Sequence, residues 1–200
     1  MDGPFLNWGP QMIDLTRLTL DTPRDPRSVA DQLLDLGLVR PQIISLFAVS
    51  VCLSVISLFV SNVSLSGDDP FVIVVGPGLA LGPLPVALMV FTMTIVSALA
   101  ASRIGQMFGG RGEFNALLIV MSWLQWMQFV FQIISTLLSF ISIALSGLAS
   151  LVIFILTLWI FVAMVDRAHG FESAMKSIAT IILGSAVAGV SVGFVAIVFA

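Results

Sequence analysis

Residues 114–165 read FNALLIVMSWLQWMQFVFQIISTLLSFISIALSGLASLVIFILTLWIFVAMV and contain no charged side chain. At about 1.5 Å of rise per residue this stretch would form about 78 Å of helix, whereas the hydrocarbon core of a bilayer is about 30 Å thick. It is therefore predicted to cross a membrane twice, with a hairpin between the crossings. The composition agrees, because 58% of the residues are hydrophobic, only 10% are charged and the mean hydropathy is +1.12.

Apolar runs on both sides of this stretch extend the pattern, so the predicted fold is an all-α, polytopic transmembrane helical bundle with five spans. Residues 1–40 form a predicted cytoplasmic tail with short amphipathic helices, and residues 41–200 form the membrane domain. The apolar segment 71–83 is too short to cross and is interrupted by prolines. We expect an extracytoplasmic loop there that dips into the interface, and the sequence leaves open whether it is re-entrant. The spans are predicted at residues 42–63, 84–102, 115–137, 148–165 and 178–198.

The positive charges indicate an orientation for this bundle. All eight Lys and Arg residues precede the first span or lie between spans two and three or four and five, and the connections at residues 63–83 and 137–147 contain none. The positive-inside rule then predicts a cytoplasmic N-terminus and an extracytoplasmic C-terminus. Residues 1–40 hold no apolar signal segment, so span one is expected to act as an uncleaved anchor. The excess of Arg over Lys is typical of a GC-rich bacterial genome, and the predicted location is the bacterial cytoplasmic (inner) membrane.

Several classes of function are disfavoured by residue type. The single cysteine, Cys52, rules out an internal disulfide. No ionisable residue lies in the middle of a predicted span, which argues against a proton-coupled transporter and an intramembrane protease. Ser146 and His169, the one possible nucleophile–base pair, lie at opposite membrane faces. A nucleic-acid partner would need a basic stripe that the chain lacks. The sequence therefore predicts no enzyme: no catalytic residue, no cofactor and no metal site.

The tail contains an amphipathic helix. Asp25 can cap it and Pro26 can take its first position, while Val29, Leu33 and Leu36 share one side. This pattern favours a helix that lies in the membrane interface and leads into span one. A partner-docking arm is the alternative.

Two further patterns lie within the spans. Gln125, Gln128 and Gln132 follow i, i+3, i+7 spacing in span three, so one face of that helix is polar. Hydrogen bonding between helices is the favoured interpretation, and a polar cavity or pore lining is the alternative. In span five, Gly189 and Gly193 form a GxxxG, which lets helices approach closely and supports a tight bundle or an oligomer.

The two charged connections share a design. GGRGEFNAL (109–117) and AHGFESAMKS (168–177) each place glycine beside a charge and then a phenylalanine before a span. A flexible turn near lipid phosphates is favoured over a phosphate loop for the first connection, because GxxxxGK[ST] is absent. In the second, Gly170 is expected to end span four, and His169 is expected to be a helix cap rather than a pH sensor. The candidate residues of these joints are Gly109, Gly110, Arg111, Gly112, Phe114, Asp166, His169 and Gly170.

Three segments resemble the Yip (Ypt-interacting protein) domain family in its bacterial branch. They are the turn GGRGEF, the joint DRAHGFESAMKS and the tail LTLDTPRDPRSVADQLLDLGL (residues 18–38). The resemblance implies five spans and a cytoplasmic N-terminus, it supplies no catalytic residues, and its eukaryotic members are linked to Rab-type GTPases and vesicle traffic.

We therefore expect a non-enzymatic membrane protein that organises or binds a membrane protein partner, itself or lipid. The alternative is a small channel or facilitator for a neutral solute, lined by Gln125, Gln128 and Gln132.

Overall fold

A computed structural model describes residues 14–66, 72–76, 79–171 and 173–199. Within these ranges it describes the backbone alone for residues 62–66, 73–76, 79–80, 191–192 and 194–199. The described residues form seven helices and one short hairpin. The helices are α1 (Leu15–Asp21), α2 (Pro26–Asp35), α3 (Arg40–Ser66), α4 (Pro83–Met107), α5 (Phe114–Ser139), α6 (Ile143–His169) and α7 (Ala174–Phe199). The hairpin strands are β1 (Ile73–Gly76) and β2 (Leu79–Leu81).

Four helices are long and apolar enough to cross a membrane, and they are α3, α4, α5 and α6. A helix of 26 residues, such as α5, is about 39 Å long and exceeds the hydrocarbon core. The helical, membrane-spanning character predicted from the sequence is therefore confirmed. In α7 the described side chains cover a shorter apolar stretch, Ala174–Val190.

All five long helices begin before the residues predicted for the spans, and α6 differs most. Between α5 and α6 only residues 140–142 are non-helical, whereas the sequence predicted a connection at residues 137–147. The Ser142 hydroxyl accepts a hydrogen bond from the backbone N–H of Leu145, and this cap starts α6 before the predicted residue 148. In α4, Pro83 and Pro85 fall in the first turn, where the backbone N–H groups have no partner within the helix. Proline therefore starts this helix instead of breaking it.

The predicted loop at residues 71–83 is a hairpin over much of its length. β1 and β2 pair antiparallel with an irregularity between Val74 and Gly76. β-branched residues favour extended backbone, which explains why the apolar residues 73–75 form a strand. Phe71 and Pro77 lie outside the described residues.

The core of the bundle is built around α5. Its residues 117–125 are buried continuously, because α3, α4 and α6 all pack against it. α3 contributes a buried residue at every fourth position, from Ile43 through Phe47 and Val51 to Phe59. α7 packs mainly on α4, where Gly184 lies beside the backbone of Ala101. The described parts of α3 and α6 each pack on α5 but not closely on each other.

The N-terminal helices are part of this packing. Val29, Ala30 and Leu33 of α2 are buried against α6 and α5. Asp25 caps α2 by accepting a hydrogen bond from the backbone N–H of Ser28, with Pro26 at the first helical position. The apolar side of α2 is thus covered by the helices of its own chain.

Candidate functional site

A buried carboxylate joins three helices at one end of the bundle, called here the charged end because Arg103, Arg111 and Asp166 lie there. Asp166, in the last turn of α6, is only 4% exposed. Its Oδ2 accepts a hydrogen bond from Arg27 Nη2 at 2.8 Å. Its Oδ1 accepts from the backbone N–H of Ser173 and from Ser177 Oγ, both at 3.0 Å. A buried charge needs such partners, so Asp166 ties α2 and α7 to α6.

Further polar contacts fix the N-terminal helices. Arg167 forms an ion pair with Asp31 of α2, beside the pair made by Asp166. The indole N–H of Trp123 donates to Thr22 Oγ1 at 3.0 Å, and that of Trp126 donates to Thr19 Oγ1 at 2.9 Å. α1 is therefore held along α5 by two tryptophans that the sequence analysis did not assign.

His169 fills a pocket made by three glycines. Its ring is 1% exposed, and a Cβ atom at Gly105, Gly110 or Gly112 would overlap it. The ring stacks on Phe171 with the centroids 4.8 Å apart. Its Nδ1 lies 3.1 Å from the Val165 carbonyl oxygen, and Nε2 has no hydrogen-bond partner in the described part of the chain. His169 is thus a buried packing residue. We call His169 with Gly105, Gly110 and Gly112 the glycine–histidine joint.

The GGRGEF turn is held firmly beside this joint. The backbone N–H of Arg111 donates to the carbonyl oxygen of His169 at 2.9 Å. Ser102 Oγ and Gln106 Nε2 both donate to the carbonyl oxygen of Gly112, at 2.9 and 3.2 Å. The two connections predicted separately from the sequence therefore form one unit. Ser102 and Gly105 of α4 also belong to this unit.

Two glycines at the charged end adopt a backbone that other residues rarely take. Gly109 has φ 86° and ends the turn after α4, and Gly170 has φ 65° and ends α6. Phe114 begins α5. The eight candidate joint residues thus lie together at the charged end.

The three glutamines of α5 have different surroundings. Gln125 Nε2 donates to Thr94 Oγ1 of α4 at 2.8 Å, which is a bond between helices. Among the described residues, Gln132 Nε2 reaches Thr136 of its own helix, at 3.5 Å. The Gln128 side chain is exposed and makes no hydrogen bond to any described residue.

Gln128 lines two cavities. The first, here the lateral cleft, has a volume of about 370 Å³ and lies between α3, α5 and α6. The second, here the inner cavity, has a volume of about 240 Å³ and lies between α4, α5, α6 and α7. Gln128 and Thr157 line both, and none of the described lining residues is charged. The polar lining of the cleft consists of Ser54, Ser57, Gln128, Gln132, Ser135, Ser150 and Thr157.

Several polar atoms in these cavities have no partner. The buried Gln125 Oε1 is unpaired, and the side chains of Gln128 and Thr157 form no hydrogen bond within the described residues. Acyl chains offer such groups no hydrogen-bond partner, and each group left unsatisfied in hydrocarbon costs several kcal/mol, so water or another bound molecule must supply the partners. The arrangement can therefore accept a neutral molecule or group that both donates and accepts hydrogen bonds.

The sequence also matches a known protein family. The sequence profile of the Yip1 domain matches residues 20–197, which is nearly the whole chain. The chain belongs to the Yip1 domain family. The resemblance found in the sequence is thereby confirmed. Comparisons with curated proteins and with solved structures found no match.

The remaining candidates of this Yip1-domain protein lie on α7. Gly189 and Gly193 are exposed, and a Cβ atom at either would meet nothing within 4 Å. Gly184, one turn earlier, is the glycine of α7 that contacts α4. The GxxxG therefore does not contribute to packing among the described side chains. Among the described residues, no group of His, Cys, Asp or Glu could hold a metal ion.

Proposed function

We propose that this Yip1-domain protein is a non-enzymatic component of the bacterial cytoplasmic membrane that binds a membrane protein partner, a second copy of itself, or lipid. The observation that carries the proposal is the outward face of α7. Gly189 and Gly193 are exposed on this face, and a Cβ atom at either would meet nothing within 4 Å, so the face leaves space beside each glycine. Small residues at such spacing let a neighbouring helix approach closely in lipid, where van der Waals packing drives association.

The proposed topology has five spans, with the charged end in the cytoplasm and the C-terminus outside. Its support is the location of Arg103, Arg111 and Lys176, because positive side chains favour the cytoplasmic side. α7 contains 26 residues and is about 39 Å long, enough for a fifth crossing.

Gentle extraction into nanodiscs, followed by mass determination and identification of every retained protein, tests this function. We expect a stoichiometric partner or a second copy. The double variant Gly189→Leu/Gly193→Leu should lose this partner or second copy, because the added side chains would occupy the space beside the two glycines. Gly147→Leu is the matched control, since Gly147 is also exposed with nothing within 4 Å of a Cβ atom. A single-copy particle that carries no other protein in the wild type would contradict the protein-binding form of the proposal.

A facilitator for a neutral solute is the second candidate, and it is favoured by two neighbouring cavities that share Gln128 and Thr157 as lining residues. They follow α5 from Met121 to Ser135, a distance of about 21 Å along the helix axis. Uptake of a neutral solute such as glycerol into proteoliposomes would measure this activity. We expect flux that falls to the protein-free rate when Gln125, Gln128 and Gln132 are all replaced by Leu. Equal flux in the two proteins, or none in either, would exclude this candidate.

A further inference from the structure

We propose that the lateral cleft is a binding site for a membrane lipid whose neutral head group carries hydroxyls, such as a glycosyl diacylglycerol. The inference rests on the lipid-binding form of the proposed function and names the class of lipid. The head group would lie at the junction of the two cavities, on Gln128 and Thr157, with the acyl chains leaving between α3 and α6.

The first argument is the set of unpaired polar groups at this junction. A helical threonine commonly bonds to the carbonyl of its preceding turn, as Thr94 does to Val90. The Thr157 hydroxyl makes no such bond, and the Gln128 amide has no partner among the described residues. Both groups line both cavities. A bound hydroxyl could accept from the Gln128 amide nitrogen and donate to its oxygen, which satisfies both ends of the side chain.

The cleft wall adds acceptors for the same kind of ligand. Ser54, Ser57 and Ser150 donate their hydroxyl protons to carbonyl oxygens of their own helices, at 2.9, 2.7 and 2.8 Å. The oxygens of Ser54 and Ser57 therefore keep lone pairs that can accept a hydrogen bond from a bound hydroxyl, while Ser150 Oγ, 3.1 Å from Ser135 Oγ, keeps one. A ligand with several hydroxyls suits this wall better than one with acceptors alone.

The second argument is charge. None of the described lining residues of the cleft is charged. A phosphate head group placed there would be an uncompensated charge in a medium of low dielectric, which is strongly unfavourable. The lining therefore favours neutral head groups over anionic ones.

The third argument is the shape of the opening. α3 and α6 pack on α5 without packing closely on each other, so the cleft opens sideways, where the acyl chains of a bilayer would be. Leu58 of α3 is 45% exposed and Phe154 of α6 is 60% exposed, and both line the cleft. They provide apolar surface for acyl chains. The volume of about 370 Å³ lies within the ordinary range of ligand sites. A lateral opening with apolar sides favours a lipid over a free solute.

Native mass spectrometry of the purified full chain would test the site with three lipids at equal concentration: monoglucosyl diacylglycerol, phosphatidylglycerol and phosphatidylcholine. We expect at least tenfold greater retention of the glycolipid than of either phospholipid. This comparison uses the wild-type protein and needs no variant. Equal retention of the three lipids, or a preference for phosphatidylglycerol, would overturn the proposal.

Two variants test whether the glycolipid binds in the lateral cleft. Gln128→Leu with Thr157→Val should reduce glycolipid retention at least tenfold. Thr92→Val is the control, because Thr92 is exposed on α4, outside both cavities, and makes no hydrogen bond to a described residue. Unchanged retention in the double variant would overturn the assignment to the cleft. Displacement of the glycolipid by glucose at a matched concentration would also overturn it, in favour of a free solute. Partner association is tested separately, with the Gly189 and Gly193 variant of α7. A negative result for glycolipid binding is therefore distinguishable from a negative result for protein binding.

Discussion

The charged end and the middle of the bundle use the same types of polar residue with opposite results. At the charged end, Ser102 and Gln106 both donate to the carbonyl oxygen of Gly112, and glycines let the chain close over His169. In the middle, Gln128 and Thr157 find no partner among the described residues, and both line two cavities. Polar groups that are paired and enclosed hold a fold together. Unpaired polar groups beside an open cavity in a membrane indicate a ligand.

The largest expected effect is a loss of stability at the glycine–histidine joint. Gly105→Ala would place a methyl group inside the space of the His169 ring, so α4 and α6 would have to separate. We expect a cost of about 3 kcal/mol in the free energy of unfolding. Thermal unfolding in detergent, followed by intrinsic fluorescence, would show a clearly lower midpoint. Gly147→Ala, at an open position, should keep or slightly raise the midpoint. Equal midpoints for the two variants would contradict the packing described for this end.

The next effect is expected at the buried carboxylate. Asp166→Ala would leave Arg27 and Ser177 without their shared acceptor, and we expect a cost of about 2 kcal/mol. This is below the usual range for a broken buried pair, because the Arg27 side chain is 57% exposed. Asp31→Ala removes the more exposed pair with Arg167 and should cost less than about 1 kcal/mol. Urea or thermal unfolding of both variants gives the comparison, and a reversed order would contradict it.

A smaller effect is expected where α1 is held on α5. Trp126→Phe removes the hydrogen bond to Thr19 and should cost about 1 kcal/mol. The loss should be local, so hydrogen exchange in residues 15–21 should become faster while that of α5 changes little. Trp159→Phe is the control, since Trp159 is half exposed and makes no hydrogen bond to a described residue. Equal exchange in residues 15–21 of the two variants would show that this bond does not hold α1.

The smallest expected effect on stability is at Gln128. Gln128→Leu should change the unfolding midpoint of the lipid-free protein little or raise it, because the lost amide has no partner among the described residues. Gln125→Leu removes the bond to Thr94 and should cost about 1 kcal/mol. Both variants replace a glutamine of α5 by leucine, at positions three residues apart. If both destabilised the protein equally, the distinction between paired and unpaired glutamines would be wrong.

Much of the fold could be predicted because it depends on local properties. The length of uncharged sequence between Phe114 and Val165 required two helices, and the GGRGEF and DRAHGF segments pointed to the family. The helices begin before the predicted spans, by one residue in α4 and by five in α6, because a proline or a capping serine decides a helix boundary only in the context of the folded helix. The hairpin was missed because a short apolar run between prolines fits a loop as well as a strand.

The candidate sites were less predictable because they depend on contacts between distant residues. Gly105 and His169 are far apart in sequence, and only the packing of α4 against the end of α6 brings them together. The docking of Thr19 and Thr22 on α5 is equally non-local. Thr157 looks like an ordinary helical threonine in the sequence. Only the structure shows that its hydroxyl makes no hydrogen bond to a carbonyl of the preceding turn.

Cysteine labelling tests the central claim, that the middle of the bundle contains a polar space, most directly. Cys52 would first be replaced by Ser, and single cysteines then introduced as Gln128→Cys and Ile155→Cys. Gln128 and Ile155 lie at similar distances from the turn at residues 140–142 and are both exposed, but Gln128 lines the cleft and Ile155 lies outside both cavities. A hydrophilic methanethiosulfonate reagent reacts with the thiolate, which forms only where the sulfur is hydrated. In proteoliposomes we predict rapid labelling at residue 128 and little at residue 155. Equal protection of both positions would contradict a polar space in the middle of the bundle.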